Sequence, residues 1–239
     1  MTGKSTAHIV SGHLHEYSSQ EKARASAWFF KTGSGEYGHG DVFAGVSVPN
    51  QRKIAKQFTD LSLDEINKLL QSKVHEHRLT GLLILVAQYR AADAKTKKAL
   101  TKFYLSRKNR INSWDLVDSS APYILGDYLL SANRVVLYTL ARSTNLWHRR
   151  IAIISTFSFI KEGEYRDTLN IAEILLEDTQ DLIHKAVEWM LREVGNKSLS
   201  TEERFLKKHA VIMPRTMLRY AIEKFPENKR KMYLRLHSR

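Results

Sequence analysis

The segment Ser113-Trp-Asp-Leu-Val-Asp-Ser-Ser-Ala-Pro-Tyr-Ile-Leu-Gly-Asp-Tyr-Leu-Leu130 mixes strong helix formers with acids that a plain core helix would not carry. Wound as a helix over 114–121, it sets Trp114 and Asp118 four apart on one face, one turn above each other, with Asp115 three residues from Asp118. An indole and a carboxylate then share a surface. Pro122 cannot continue the hydrogen-bond ladder outside a first turn, so the segment predicts a break there and a second short helix through Asp127 to Leu130. A broken helix beside acids is a candidate site.

Outward from this segment the pattern stays helical. Only four prolines and eleven glycines occur in 239 residues, and apolar residues recur at three- and four-residue spacing almost throughout, which predicts an all-α fold. A first helix is expected over 6–31, with a break allowed. Residues 32–50 form the one Gly-rich segment, read as a connecting loop, with Pro49 opening the next helix. It lacks a Gly-Lys-Ser/Thr ending and a preceding strand, so it is not a nucleotide loop. His39 and Asp41 in that loop are too few for a metal site. Further helices are expected near 50–58, 62–72, 75–91, 94–107, 133–143, 146–161, 165–177, 181–195, 200–210, 214–224 and 227–236. Ser62 and Ser200, with Glu65 and Glu203 three residues on, have capping-box spacing.

Composition narrows the chemistry. The length and a 43% hydrophobic content support a sizeable core, read as a single domain over 1–239. No cysteine is present, which excludes disulfides, thiolate catalysis and cysteine-ligated zinc. No window approaches the roughly 20 apolar residues of a membrane span, and no signal segment precedes the first helix, so a cytoplasmic protein without membrane contact is expected. Thirty-eight Lys and Arg against 25 Asp and Glu give a net charge of +13. Residues 204–239 are the most biased, with only Glu223 and Glu227 among their many cations. A phosphate backbone is the commonest partner of such a surface, a solvated helix pair the alternative.

The helix starts align as a repeat. Arg78, Asp115, Arg150, Lys185 and Arg219 occupy corresponding positions at separations of 37, 35, 35 and 34 residues. Two helices per unit at this period predict a helical solenoid whose inner helices line one concave groove. Three stretches on those inner helices carry chemistry: Trp114 to Asp118, Trp147-His-Arg-Arg150, and His184-Lys185 through Trp189 to Glu193.

These stretches, with "FFKTG.GEYG.GDVF.GVSVP", "WDLVDSSAPYILGDYLL", "LW.RRIAIIST", "HKA..WMLREVG" and "MPRTMLRYAIEKFP", resemble the DNA alkylation repair family of bacterial alkylpurine glycosylases, the AlkD-type proteins built from HEAT-like repeats. The resemblance runs from about Trp28 to the C-terminus. It implies a right-handed α-solenoid with a basic groove that binds double-stranded DNA containing alkylated bases and hydrolyses the N-glycosidic bond of cationic purines such as 7-methylguanine and 3-methyladenine. It further implies that Asp118 is the catalytic carboxylate, with Trp114, Trp189 and Arg150 completing the site, that no cofactor is needed, and that the base is excised without entering a deep pocket. Phe29 matches an aromatic near the groove. Ser113 departs from the pattern, where some members carry a second tryptophan.

The residue types suit that reaction on their own. A carboxylate stabilises an oxocarbenium-like sugar and positions water, indole faces attract cations, and an arginine fork holds a phosphate. Arg149, Lys185, Arg215 and Arg219 are further candidate DNA contacts, the last two one helical turn apart, and a monomer is expected to suffice. The alternatives are structural: Trp114 and Trp189 as core residues, Asp118 in an ion pair with Arg150, and Asp115 as a helix N-terminal charge or the partner of a backbone amide. At the level of function, the rivals are a non-catalytic helical-repeat protein that binds branched or damaged DNA and a protein-binding scaffold.

Overall fold

A computed structural model describes residues 5–236, so the last three residues of the basic 204–239 stretch lie outside it. The described chain is helical, with one isolated bridge between Val42 and Val74, and it forms two compact units that meet in sequence between Ile124 and Leu125.

In unit 1, α1 (Ala7–Glu16), α2 (Gln20–Phe29), α3 (Val48–Ala55), α4 (Leu63–Gln71), α6 (Ala94–Ser106) and α7 (Trp114–Asp118) surround or flank α5 (His75–Ala91). α5 packs on α1, α3, α4, α6 and α7. It is apolar nearly all round, from Leu79 to Val86, as a helix buried on every side must be. Short polar side chains set the helix starts: Thr6, Ser19, Ser62 and Asp93 each accept from the backbone N–H three residues on. The expected break in the first helix falls at Tyr17–Ser19, where Ser19 begins α2. Ser62 caps α4 as expected, but Glu65 does not return to it; its carboxylate accepts the Ala7 N–H at 2.8 Å and so ties α4 to α1.

The Gly-rich stretch before α3 is a built element. Glu76, buried in the first turn of α5, accepts the backbone N–H groups of Ala44, Gly45 and Val46. Gly45 has φ +78°, and a Cβ there would lie 2.1 Å from the Ser19 carbonyl oxygen, so only glycine fits.

The predicted break at Pro122 takes the form of a π-helical turn over Pro122–Gly126, the wider winding that accommodates a residue with no N–H to give, followed by the short helix α8 (Asp127–Leu129). Unit 2 continues with α9 (Val135–Ala141), α10 (Leu146–Ser155), α11 (Phe157–Lys161), α12 (Arg166–Ile174), α13 (Asp181–Lys197), α14 (Leu199–His209), α15 (Arg215–Ala221) and α16 (Glu227–Leu236). Here α13 is the hub, packed on α10, α11, α12, α14 and α15.

Three expectations need correction. The single helix over 146–161 is two helices that meet at Thr156, whose hydroxyl bonds the Ile153 carbonyl. The last turn of the 214–224 helix is 3₁₀. Ser200 is not a cap: α14 starts at Leu199 behind Ser198, and Ser200 lies inside the helix.

The repeat register also shifts by one residue. Ser72 Oγ bonds His77 Nδ1 and the Val74 N–H, while Arg78 donates to the Ser72 and Lys73 carbonyls and to Asp41. Two periods later Ser143 Oγ bonds His148 Nδ1 and the Asn145 N–H, while Arg149 donates to the Ser143 and Thr144 carbonyls and to Asp178. Arg78 therefore corresponds to Arg149, not to Arg150.

In unit 2, Glu202 lies against Gly195, where a Cβ would meet its Oε2 at 1.7 Å. Burial, reinforced by Glu203, pushes its carboxyl up to about 8 from 4.5. A raised acid favours the fold while it holds its proton, so this contribution weakens as pH climbs from about 4.5 to about 8. Glu202→Gln, which cannot ionise, is expected to gain stability over the wild type in urea unfolding at pH 9 and to lose that advantage at pH 4.5. Equal differences at both pH values would contradict this.

Candidate active site

α7 is short, and its faces are sharply divided. Leu116, Val117, Ser120 and Ala121 are buried, while Trp114, Asp115 and Asp118 are partly open. The buried side is anchored by Ser120, whose Oγ donates to the Leu116 carbonyl and meets the Tyr104 hydroxyl at 3.1 Å. Trp114 and Asp118 therefore share the open face.

Trp114 ends a chain of rings. Phe30 stacks on it at 5.2 Å with an interplanar angle of 9°, and Phe29 meets it edge-on at 6.0 Å. Phe30 in turn contacts Phe43 at 5.0 Å and His75 at 4.9 Å, and Phe43 stacks on His75 at 4.6 Å. Phe29 is 58% exposed, so the cluster runs from solvent to the interior. Ser113 is buried; the rings beside Trp114 are Phe29 of α2 and Phe30 at its C-cap.

His75 lies beneath these rings and is 2% exposed. Its Nε2 donates to Asp115 Oδ2 at 2.7 Å and its Nδ1 to Asp41 Oδ2 at 3.1 Å, while Arg78 Nη2 donates to the same Asp41 oxygen at 2.5 Å. Burial alone would strip the proton from the imidazole; the hydrogen bonds to Asp115 and Asp41 outweigh it and raise the group to about 9. The result is a buried set of two cations and two anions, neutral overall. Asp115 is thus a structural residue, but its partner is a side chain of α5 rather than a backbone amide. Asp41 serves this ion set through Oδ2, which meets both Arg78 and His75. Sequence reasoning missed His75, Phe30 and Phe43; the one available signal was a histidine at the start of a helix that is apolar nearly all round from Leu79 to Val86.

Asp118 lines a recess of about 370 Å³ in unit 1, together with Arg52, Lys56, Arg90, Ser119 and Tyr123.

The other predicted residues lie in unit 2. Arg150 is buried on α10 and donates Nη1 to the Leu182 carbonyl at 2.5 Å. Trp189, on α13, contacts Phe157 at 5.9 Å and donates Nε1 to Glu193 at 3.2 Å. Arg149 has its fork filled by Asp178 and two carbonyls. Lys185 pairs with Asp181 at 2.8 Å on the surface, a pair of little energetic weight. Arg215 and Arg219 are exposed on one face of α15, and neither has a carboxylate partner among the described residues.

The buried ion set yields a prediction with a defined sign. A histidine raised from 6.5 to about 9 by its folded partners contributes fully below about pH 6.5, progressively less up to pH 9, and nothing above. His75→Gln is expected to be less stable than the wild type in urea unfolding at pH 6, with the gap narrowing steadily toward pH 9. A gap independent of pH would contradict a charged His75.

The family to which this architecture belongs is decided by comparison with known proteins. A family model described as DNA alkylation repair enzyme matches residues 10–225. Among solved structures, a predicted DNA alkylation repair enzyme from Enterococcus faecalis is similar with a TM-score of 0.69 at 17% identity, over 88% of this chain and 97% of that one. AlkD2 from Streptococcus mutans aligns with a TM-score of 0.49 at 16% identity, over 98% of each chain. No curated protein matches the sequence. The Enterococcus structure shares the all-helical fold, and the family model spans most of the chain: it belongs to the DNA alkylation repair enzyme family.

Proposed function

We propose that the protein is a DNA glycosylase that hydrolyses the N-glycosidic bond of alkylated, cationic purines of the 7-methylguanine and 3-methyladenine type in duplex DNA. The observation that carries this reading is the pairing of Trp114 and Asp118 on the open face of α7, with Asp118 at a recess and Trp114 backed by stacked rings. Alkylation gives the base a positive charge, so the C1′–N9 bond breaks with its electron pair passing to the purine, which leaves neutral. Positive charge develops on the sugar. Asp118 stabilises it electrostatically, and it orients the water whose oxygen bonds C1′ and whose proton passes to the carboxylate or to solvent. Trp114 and Phe29 offer ring faces to the cationic nucleotide at about 0.5–2 kcal/mol each, and Trp189 of unit 2 is an aromatic contact to the DNA. Lys185, Arg215 and Arg219 meet backbone phosphates of the DNA; Arg149 contributes by holding the start of α10, and Arg150, buried, by tying α10 to the Leu182 carbonyl of α13.

Release of free base from a duplex with a single 7-methylguanine, under single-turnover conditions, tests the reading. Asp118→Asn is expected to slow release by about 10²- to 10⁴-fold, the span of a lost acid–base or electrostatic contribution, while binding DNA nearly as well. Arg150→Ala is expected to weaken both binding and release. Equal release by wild type and Asp118→Asn would refute the role of the carboxylate, and salt-sensitive binding without release by either would leave a non-catalytic DNA binder.

A further inference from the structure

A carboxylate offered to DNA poses an electrostatic problem, because the polyanion is repelled by the group meant to act on it. The recess beside Asp118 contains an answer. Arg52 and Lys56 stand one turn apart on α3 and its C-cap, and the Lys56 N–H donates to the Arg52 carbonyl at 3.3 Å. Both line the recess, as does Arg90 from the last turn of α5. The Arg90 guanidinium lies 4.9 Å over the ring of Tyr123, which limits its freedom and aims its fork. All three are exposed, and none has a carboxylate partner within salt-bridge distance among the described residues, whereas Lys68 and Arg78 of the same unit do. The intervening Lys53 turns away to the ring and hydroxyl of Tyr17.

Cations near helix C-termini have an ordinary use, a favourable interaction with the helix dipole. That benefit does not depend on where the side chains point beyond the last turn. Here three converge from two helices on a recess where Asp118 is the only acid among the described residues that line it.

We infer that Arg52, Lys56 and Arg90 form a phosphodiester-binding site within the Asp118 recess. It takes a backbone phosphate of DNA, offsets the repulsion by Asp118, and fixes the strand beside the carboxylate. The Arg90 and Arg52 forks supply directional hydrogen bonds and Lys56 a point charge. The site rests on the proposed DNA reading but not on the glycosylase step, since a phosphate is held whether or not the base is lesioned.

The test is equilibrium binding of an undamaged duplex and a 7-methylguanine duplex, followed by fluorescence anisotropy over a salt series. It uses the full chain as wild type, Arg52→Ala, Arg52→Lys, Arg52→Ala/Lys56→Ala, Arg90→Ala and Lys53→Ala, with urea midpoints to confirm folding. Removing one cation from the phosphate is expected to lower the slope of log K against log salt by about 1 and to weaken both duplexes equally. Arg52→Lys should restore the slope that Arg52→Ala reduces, because it keeps the charge. Lys53→Ala should change nothing. Folded double and Arg90 variants with the wild-type slope would overturn the site, even if the wild type releases base. A reduced slope in a protein that releases no base would leave the site standing and remove the glycosylase reading, and a wild type that binds neither duplex at low salt would overturn both.

Discussion

A buried imidazolium between two carboxylates is the constraint on which the candidate site of unit 1 depends. Asp41 comes from the Gly-rich segment, His75 and Arg78 from the first turn of α5, and Asp115 from α7. Any one of these charges alone in the interior would be costly; together they are neutral, and the pair geometry compensates desolvation. Such sets add little net stability over apolar packing, but removing one member leaves the others uncompensated, at about 3–5 kcal/mol. What the arrangement provides is position. α7 has only five residues, too few to hold itself as a helix, and its orientation comes from Asp115 on one side and Leu116, Val117 and Ser120 on the other.

The same clamp organises the aromatic cluster. Phe43 and Phe30 lie on the charged ring of His75, and Phe30 lies on Trp114, so the segment after α2 and the helix bearing Asp118 are locked through one ring stack. The Glu76 carboxylate fastens the other end of that segment by three backbone N–H groups. A stretch that would otherwise be a flexible connection becomes a wall. Trp114 and Asp118 are therefore presented on a prearranged surface, which suits the proposed electrostatic role, since stabilisation of a developing charge is effective when the stabilising groups need not reorganise.

Much of this was legible in the sequence, because helices announce themselves by local spacing. The 75–91 helix is read to the residue, the open face of Trp114 and Asp118 follows from their four-residue separation, and Pro122 marks the break. What escaped depends on distance along the chain. Nothing in the local sequence pairs Asp41 with Arg78, or His75 with Asp115, so the ion set is invisible there and Asp115 reads only as a helix N-terminal charge or the partner of a backbone amide. The repeat was detected by charge and helix starts, which tolerate a slip of one residue; the Ser72–His77–Arg78 and Ser143–His148–Arg149 bonding pattern removes it. Ser200 fails as a cap because the residue ahead of α14 is a neighbouring serine, Ser198.

The central claim is that Asp118 meets positive charge on the sugar of the bound nucleotide. The most direct test is the affinity for duplex DNA carrying a cationic pyrrolidine in place of that sugar, compared with the neutral tetrahydrofuran analogue. The account predicts that the wild type binds the cationic analogue more tightly, by at least the roughly hundredfold common for mimics of a transition state, and that Asp118→Asn loses this preference while its affinity for the neutral analogue stays the same. Equal affinity of the wild type for the two analogues would contradict it.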